Sequence, residues 1–165
     1  MAKKTDPLSA PSSGAGDATW LDADEKEAWT GLISLLLLLP NRLEAPLQQE
    51  SGLTLFDYLT LSHLSEAPNR RLRLSQLAFL ANGSLSRLSN VVTRFEKRGW
   101  MRREPDPDDG RYTTAVLTDA GLEVVRAAAP VHVRTVREVA LDPLSASDQQ
   151  ALVRIAAKLK ARLPN

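Results

Sequence analysis

From Ser84 to Arg98, side chains that donate hydrogen bonds recur on one stripe of a 3.6-residue period: Ser86, Arg87, Asn90, Thr93, Arg94 and Lys97. Arginine grips guanine through two parallel hydrogen bonds, asparagine pairs with adenine, and serine or threonine serves a base edge or a phosphate. None of the six is acidic, so nothing on the stripe repels a phosphate. Ser84 is suited to cap the helix, and the free N–H groups of the first turn form a natural phosphate clamp. Leu88, Val91, Val92 and Phe95, with Leu85 one turn earlier, fall on the other side. That stripe is expected to pack on Leu77, Leu80 and the helix before them. An ordinary amphipathic helix with a wet basic face has the same pattern, so its surroundings must decide between the two.

Charge is the first of those surroundings. Residues 70–103 hold nine Lys or Arg against one acid, Glu96, a local charge of +8. Residues 1–69 carry −6 and residues 104–165 carry −1, leaving +1 for the whole chain. Positive field gathered into one-fifth of a near-neutral chain is the footprint expected of a duplex-DNA reader.

The elements that must position these residues follow from punctuation. A first helix starts near Asp22, with Asp24, Glu25 and Glu27 complementing its positive end, and Pro40 and Pro46 are expected to kink or divide it. Thr54 caps a second helix through about Leu64, closed by Ala67-Pro68-Asn69. Arg71–Arg73 alternates as a very short strand, and Ser75 is the expected cap of a helix containing Leu77, Ala78 and Leu80. Asn82-Gly83 supplies a turn through residues that tolerate positive φ, and Gly99 ends the helix that Ser84 begins. Strands are predicted at Trp100–Glu104 and Tyr112–Leu117 around a Pro-Asp-rich turn. Thr118-Asp119 caps a long helix to about Ala140. Pro143 interrupts, and Ser145 with Asp148 opens a last helix through a capping box.

The order predicts a mainly α protein: a winged helix-turn-helix domain with flanking dimerisation helices. Its divisions are a disordered tail at 1–19, an N-terminal dimerisation helix region at 20–50, the winged domain at 51–121 and C-terminal dimerisation helices at 122–165. Arg111 falls at the hairpin tip, where it can enter a narrow minor groove, and Asp109 can orient it. Arg102 and Arg103 alternate faces on a strand, so one is expected at phosphate and the other in a structural pair; Arg102 is the candidate DNA contact. Long apolar helices carrying Val125, Val131, Val136, Leu152, Ile155 and Leu159 exceed what a small winged domain can cover, which points to a homodimer.

Residues 74–121 resemble the core of the MarR family of transcriptional regulators. The likeness rests on Arg94-Phe95-Glu96-Lys97-Arg98-Gly99, on Asp109-Gly110-Arg111 and on Val116-Leu117-Thr118-Asp119-Ala120-Gly121. The helix order extends it over about residues 22–163. It implies a homodimer that binds a palindromic operator in double-stranded DNA, acts as a repressor and is released by a small, often phenolic, molecule. By position it places DNA contacts at Ser86, Arg87, Ser89, Asn90, Arg94 and Arg111. Asn90, Thr93 and Trp100 depart from common family choices, which affects the operator sequence rather than DNA binding itself.

Other classes are poorly served by this sequence. There is no cysteine, and His63 and His132 lack companions at metal-ligand spacing, so no metal site and no cofactor are expected. No nucleophile–base spacing or phosphate-cradling glycine loop suggests an enzyme. Asp106, Asp108 and Asp109 read as turn formers. The apolar run Leu32–Leu39 falls far short of the ~20 residues that span a bilayer, so a cytoplasmic protein with no membrane contact is expected. Trp20, Trp29, Tyr58 and His63 have the chemistry to line an effector pocket, although such side chains are more often core. The competing function is a winged-helix protein-interaction module without sequence-specific DNA binding.

Overall fold

Thr54 and Asp57 close a reciprocal capping box at the start of α2 (Leu55–Glu66), each side chain bonding the other's backbone N–H. In the computed structural model, which describes residues 20–163, that helix anchors the core; the tail expected at residues 1–19 lies outside the described residues. The chain divides into two compact units, Met1–Leu39 and Pro40–Asn165. Helix α1 (Ala23–Ser51) is a single helix containing both Pro40 and Pro46, so the expected division does not occur. Each proline frees only one carbonyl, that of Leu36 or Arg42. Both of those residues are exposed, so water can satisfy the carbonyls. In the first unit α1 presents Trp29 and Leu35–Leu38, each more than half exposed.

The second unit holds the predicted winged helix-turn-helix. Strand β1 (Arg71–Arg73) runs directly into α3 (Leu74–Leu80), and Arg73, not Ser75, occupies the cap position. The strand leaves no residue between itself and the helix, which shifts Ser75 into the first turn. Asn82 adopts φ 54° in the following turn, as expected, whereas Gly83 is not among the positive-φ residues. Gly83 is required for space: a Cβ there would sit 2.3 Å from the Phe56 ring.

Helix α4 (Leu85–Lys97) ends against Gly99 at φ 72°. Its buried stripe is Leu88, Val91, Val92 and Phe95, packed with Leu77, Leu61 and Leu64. Leu85 and Leu80 depart from expectation, at 54% and 45% exposed. Leu85 is the first helical residue and lies beside the wing, off the stripe that faces the core.

Strands β2 (Met101–Pro105) and β3 (Thr113–Leu117) form the wing, and β3 is the middle of a three-stranded antiparallel sheet. The register aligns Arg71, Val116 and Arg102 in one row, then Leu72, Ala115 and Arg103, then Arg73, Thr114 and Glu104. Alternation of the pleat sends Leu72 and Ala115 toward the core and Arg103 toward α4, with the charged side chains of the other two rows on the opposite face. Helix α5 (Asp119–Val136) is capped by Thr118 and continues as a π-turn over Arg137–Leu141 before α6 (Ala146–Lys160), whose Ser145–Asp148 capping box forms as expected. At its start, a Cβ on Gly121 would sit 2.2 Å from the Trp100 carbonyl oxygen, so only glycine lets α5 meet the end of the recognition unit this closely. On α6, Leu152, Ile155 and Leu159 are exposed.

Asp106 is the knot of the wing. Its carboxylate accepts from Arg73 at 2.7 and 3.0 Å, from the N–H groups of Asp108 and Asp109 at 3.1 Å, and from Thr114 Oγ1 at 3.2 Å. The Arg73 guanidinium, aided by the two backbone N–H groups, holds its carboxyl far below the usual carboxylate range. A depressed folded-state pKa stabilises at neutral pH, and that stabilisation is lost as pH falls through the depressed value. Asp106→Ala should therefore lower Tm at pH 7, and the gap to the parent should persist down to about pH 4, where a free aspartate begins to titrate. Thermal melts across pH 7 to 2 should show the gap closing only at the acid end. Equal Tm values at pH 7 would remove Asp106 from wing stabilisation.

Candidate nucleic-acid interface

Helix α4 owes its orientation to two flanking sets of contacts. Ser84 caps it, its Oγ accepting from Arg87 N at 3.2 Å and lying 3.0 Å from Ser86 Oγ. Ser86, Asn90, Thr93 and Lys97 form the centre of the exposed stripe. On the wing side, Arg103 reaches inward from β2. Its guanidinium pairs with Glu96 and donates to Ser89 O at 2.9 Å, Ser89 Oγ at 3.2 Å and Thr93 Oγ1 at 3.0 Å. Its backbone N–H adds a bond to Glu96 Oε1 at 2.8 Å. On the α2 side, the Arg87 guanidinium lies over the Phe56 ring, 4.1 Å from its centroid, and Arg94 pairs with Asp57.

These contacts sort the residues singled out from the sequence. Ser86, Arg87, Asn90, Thr93, Arg94 and Lys97 are all exposed, and Ser89 is half-buried. Thr93 donates its hydroxyl hydrogen to Ser89 O at 2.9 Å, so both residues are partly spent within the protein. Among the described residues no carboxylate pairs with Arg87 or Lys97. Arg103 is the structural member of the Arg102–Arg103 pair. Arg102 stands on the outer sheet face, sharing Glu104 with Arg71, and remains 55% exposed.

At the hairpin tip Asp109 holds Arg111 as expected, with Nε–Oδ1 at 2.9 Å and Nη2–Oδ2 at 2.6 Å. Arg111 holds the Asp109 carboxyl below its ordinary range, and the arginine side chain is 85% exposed. A cleft of about 270 Å³ lies between helix and wing, lined by Arg73, Leu74, Leu85, Ser89, Arg111 and Tyr112.

The effector candidates fall in both units. Tyr58 is buried in α2 against His132 of α5, with ring centroids 4.4 Å apart, and burial pushes its hydroxyl pKa up. His63 is half-buried on the same helix. Trp20 and Trp29 belong to the first unit, where both are exposed rather than core. The sequence reading missed His132, whose Nδ1 is buried with no partner among the described residues and whose pKa burial lowers. It also missed Asp57. A carboxylate between Phe56 and Tyr58, three residues after a capping threonine, was the available signal. Among the described residues no group of three His, Asp or Glu side chains is arranged to hold a metal ion, and no helix is long and apolar enough to cross a membrane.

Known proteins share this arrangement. The model of the MarR family matches residues 53–113, from the residue before the α2 cap to the start of β3. The chain is similar to Sco3205, a MarR family transcriptional regulator from Streptomyces coelicolor whose crystal structure is a complex with DNA. The two are 41% identical, with TM-score 0.82, over 88% of this chain and 92% of that one. AbsC, a MarR family transcriptional regulator from the same organism, is 40% identical with TM-score 0.75, over 87% of this chain and 99% of that one. The transcriptional repressor MprA of Escherichia coli (strain K12) is 29% identical over 76% of this chain and 70% of its own length. The shared element order, a recognition helix clamped between α2 and the wing, and these likenesses lead to one assignment: the chain belongs to the MarR family of transcriptional regulators.

Proposed function

We propose that this regulator is a homodimeric repressor that reads a palindromic operator with Ser86, Asn90 and Lys97 of α4 and grips its flanks with Arg111. The observation that carries the reading is the exposed donor stripe at the centre of α4, beside a wing whose tip arginine is held outward by Asp109. Asn90 matches adenine, and Ser86 serves a base or the backbone near the helix N-terminus. Arg87 and Arg102 are assigned to phosphate, with Ser84, Ser89 and Thr93 supporting them at the edge of the contact. The DNA complex of Sco3205 and the likeness to the transcriptional repressor MprA support this reading. Replacing Asn90 by Ala should cost ~1–3 kcal/mol at the operator and relax preference at one base per half-site. Mobility-shift titration against operator variants measures this; unchanged affinity and preference would remove Asn90 from base reading.

The second half of the proposal is the dimer. Leu35–Leu38 on α1 and Leu152, Ile155 and Leu159 on α6 are exposed apolar side chains in numbers that a monomer of this size rarely leaves in water. Pairing them between copies would set two α4 helices one DNA turn apart, ~34 Å. A small, phenolic effector acting near Tyr58 and His63 would bias that spacing. Sedimentation equilibrium at micromolar concentration should give twice the chain mass of 18.1 kDa. A chain ending at Ala140 should be monomeric or poorly soluble, and a well-behaved dimer of that length would exclude α6 from the interface.

The wing separates DNA reading from a protein-interaction role. Arg111→Ala should leave Tm nearly unchanged, because an exposed pair contributes little to stability. Operator affinity should fall, and the slope of log affinity against log salt should become shallower by about one contact per subunit. The loss should concentrate in operators with A·T-rich flanks, where the groove is narrow. A salt series on parent and variant with two flanks measures this. Equal slopes and affinities would place the wing away from DNA.

A further inference from the structure

Arg94 sits on the recognition helix, yet its charge is already answered from within the protein. Its Nη2 donates to Asp57 Oδ1, whose side chain is only 7% exposed, while half of the arginine remains accessible. Asp57 cannot follow Arg94 outward. Its other oxygen accepts from Thr54 N at 3.2 Å, and its own N–H donates to Thr54 Oγ1 at 3.1 Å, so the capping box fixes it to the first turn of α2. The next residue in from the cap is tied back to α1 by Leu55 N donating to Glu44 Oε2 at 3.0 Å. The carboxylate is therefore a rigid part of the scaffold, and the guanidinium is the member that would have to leave.

We propose that Asp57 is a positioning residue that keeps Arg94 off the DNA backbone, so that binding depends on base-reading side chains more than on charge. The inference rests on the DNA-reading assignment made above. A fixed carboxylate cancels most of the field that Arg94 would present to a phosphate, and it occupies one hydrogen-bonding edge of the fork that would otherwise clasp guanine. Sequence-independent affinity comes from phosphate neutralisation, so masking one cation per subunit lowers binding to random DNA while sparing the contacts of Ser86 and Asn90. Discrimination is a difference of two affinities, and lowering the unwanted one raises it. Arg87 is treated differently by the same helix: it rests on the Phe56 ring with no carboxylate beside it, so its charge stays available to DNA.

The test uses the full chain, a duplex selected by that chain from a randomised library, and a random duplex of equal length. Asp57→Asn keeps an oxygen to accept from Thr54 N but removes the charge. Its affinity for the random duplex should rise about 3- to 10-fold near 0.15 M salt, and its salt slope should steepen by about 0.9 per subunit. The ratio of selected to random affinity should fall, and none of these changes should appear when Asp57→Asn is made in an Arg94→Ala background. Unchanged slope and ratio, an equal loss on both duplexes, or a change that survives without Arg94 would each overturn the proposal. Should the variant not fold, guanidinium NMR of the unaltered protein decides. The Arg94 Nη protons should stay protected by Asp57 when the selected duplex binds, and their release to a phosphate would overturn the inference. An unaltered protein that fails to prefer the selected duplex would instead withdraw the DNA-reading assignment, and this inference with it.

Discussion

Arg103 fixes the angle between wing and recognition helix. One guanidinium from β2 engages the carboxylate of Glu96, a backbone carbonyl and two hydroxyls along α4, while its own N–H returns to the same carboxylate. The pair is only about a quarter to a third exposed, so loss of one partner leaves polar groups unsatisfied in a place water reaches poorly. Because the contact spans Ser89 to Glu96, it locks two turns of the helix against the strand rather than one residue. The reach of Arg111 relative to Asn90 is set by this clamp together with the Asp106 knot. A wing that swung freely would spread the tip arginine over many positions and give up the fixed spacing between two grooves.

The local charge of +8 is therefore not a uniform coat. Arg103 is consumed as a fastener, Arg73 belongs to Asp106, Arg71 and Arg102 share Glu104, and Arg94 belongs to Asp57. What remains near the reading stripe without a carboxylate partner among the described residues is Arg87, Lys97 and Arg98, whereas Arg111 is paired with Asp109 but 85% exposed at the hairpin tip. Acids from elsewhere in the chain, Asp57 and Asp106 above all, are spent in choosing which cations face outward. The fold uses pairing to turn a basic segment into a patterned surface, and a patterned surface can discriminate where a uniform one only attracts.

Much of this was legible in the sequence because the signals were local. Thr54, Ser84, Thr118 and Ser145 each cap the helix that follows, and Asp109-Gly110-Arg111 forms the tip pair that its spacing suggested. The misses have physical causes. Of the two outcomes expected at Pro40 and Pro46, a kink or a division, the division does not occur, because single lost bonds on solvent-facing turns are tolerated. Ser75 has the chemistry of a cap, yet α3 begins at Leu74 directly after β1, so Arg73 takes the cap position. Leu85 and Leu80 fit the apolar period without facing the core, since periodicity fixes direction around an axis and not what lies opposite. The Arg94–Asp57, Arg103–Glu96 and Tyr58–His132 contacts join residues 37, 7 and 74 apart, and two of these three are invisible to any pattern read over one or two turns.

In the proposed function, α4 and the wing engage two neighbouring grooves in each half of a two-fold site. Hydroxyl-radical and methylation footprinting of the full chain on its selected duplex tests it most directly. The account predicts two protected major-groove windows about one helical turn apart, each flanked outward by minor-groove protection that Arg111→Ala removes. A single window, or protection confined to the backbone with no major-groove base shielded, would contradict it.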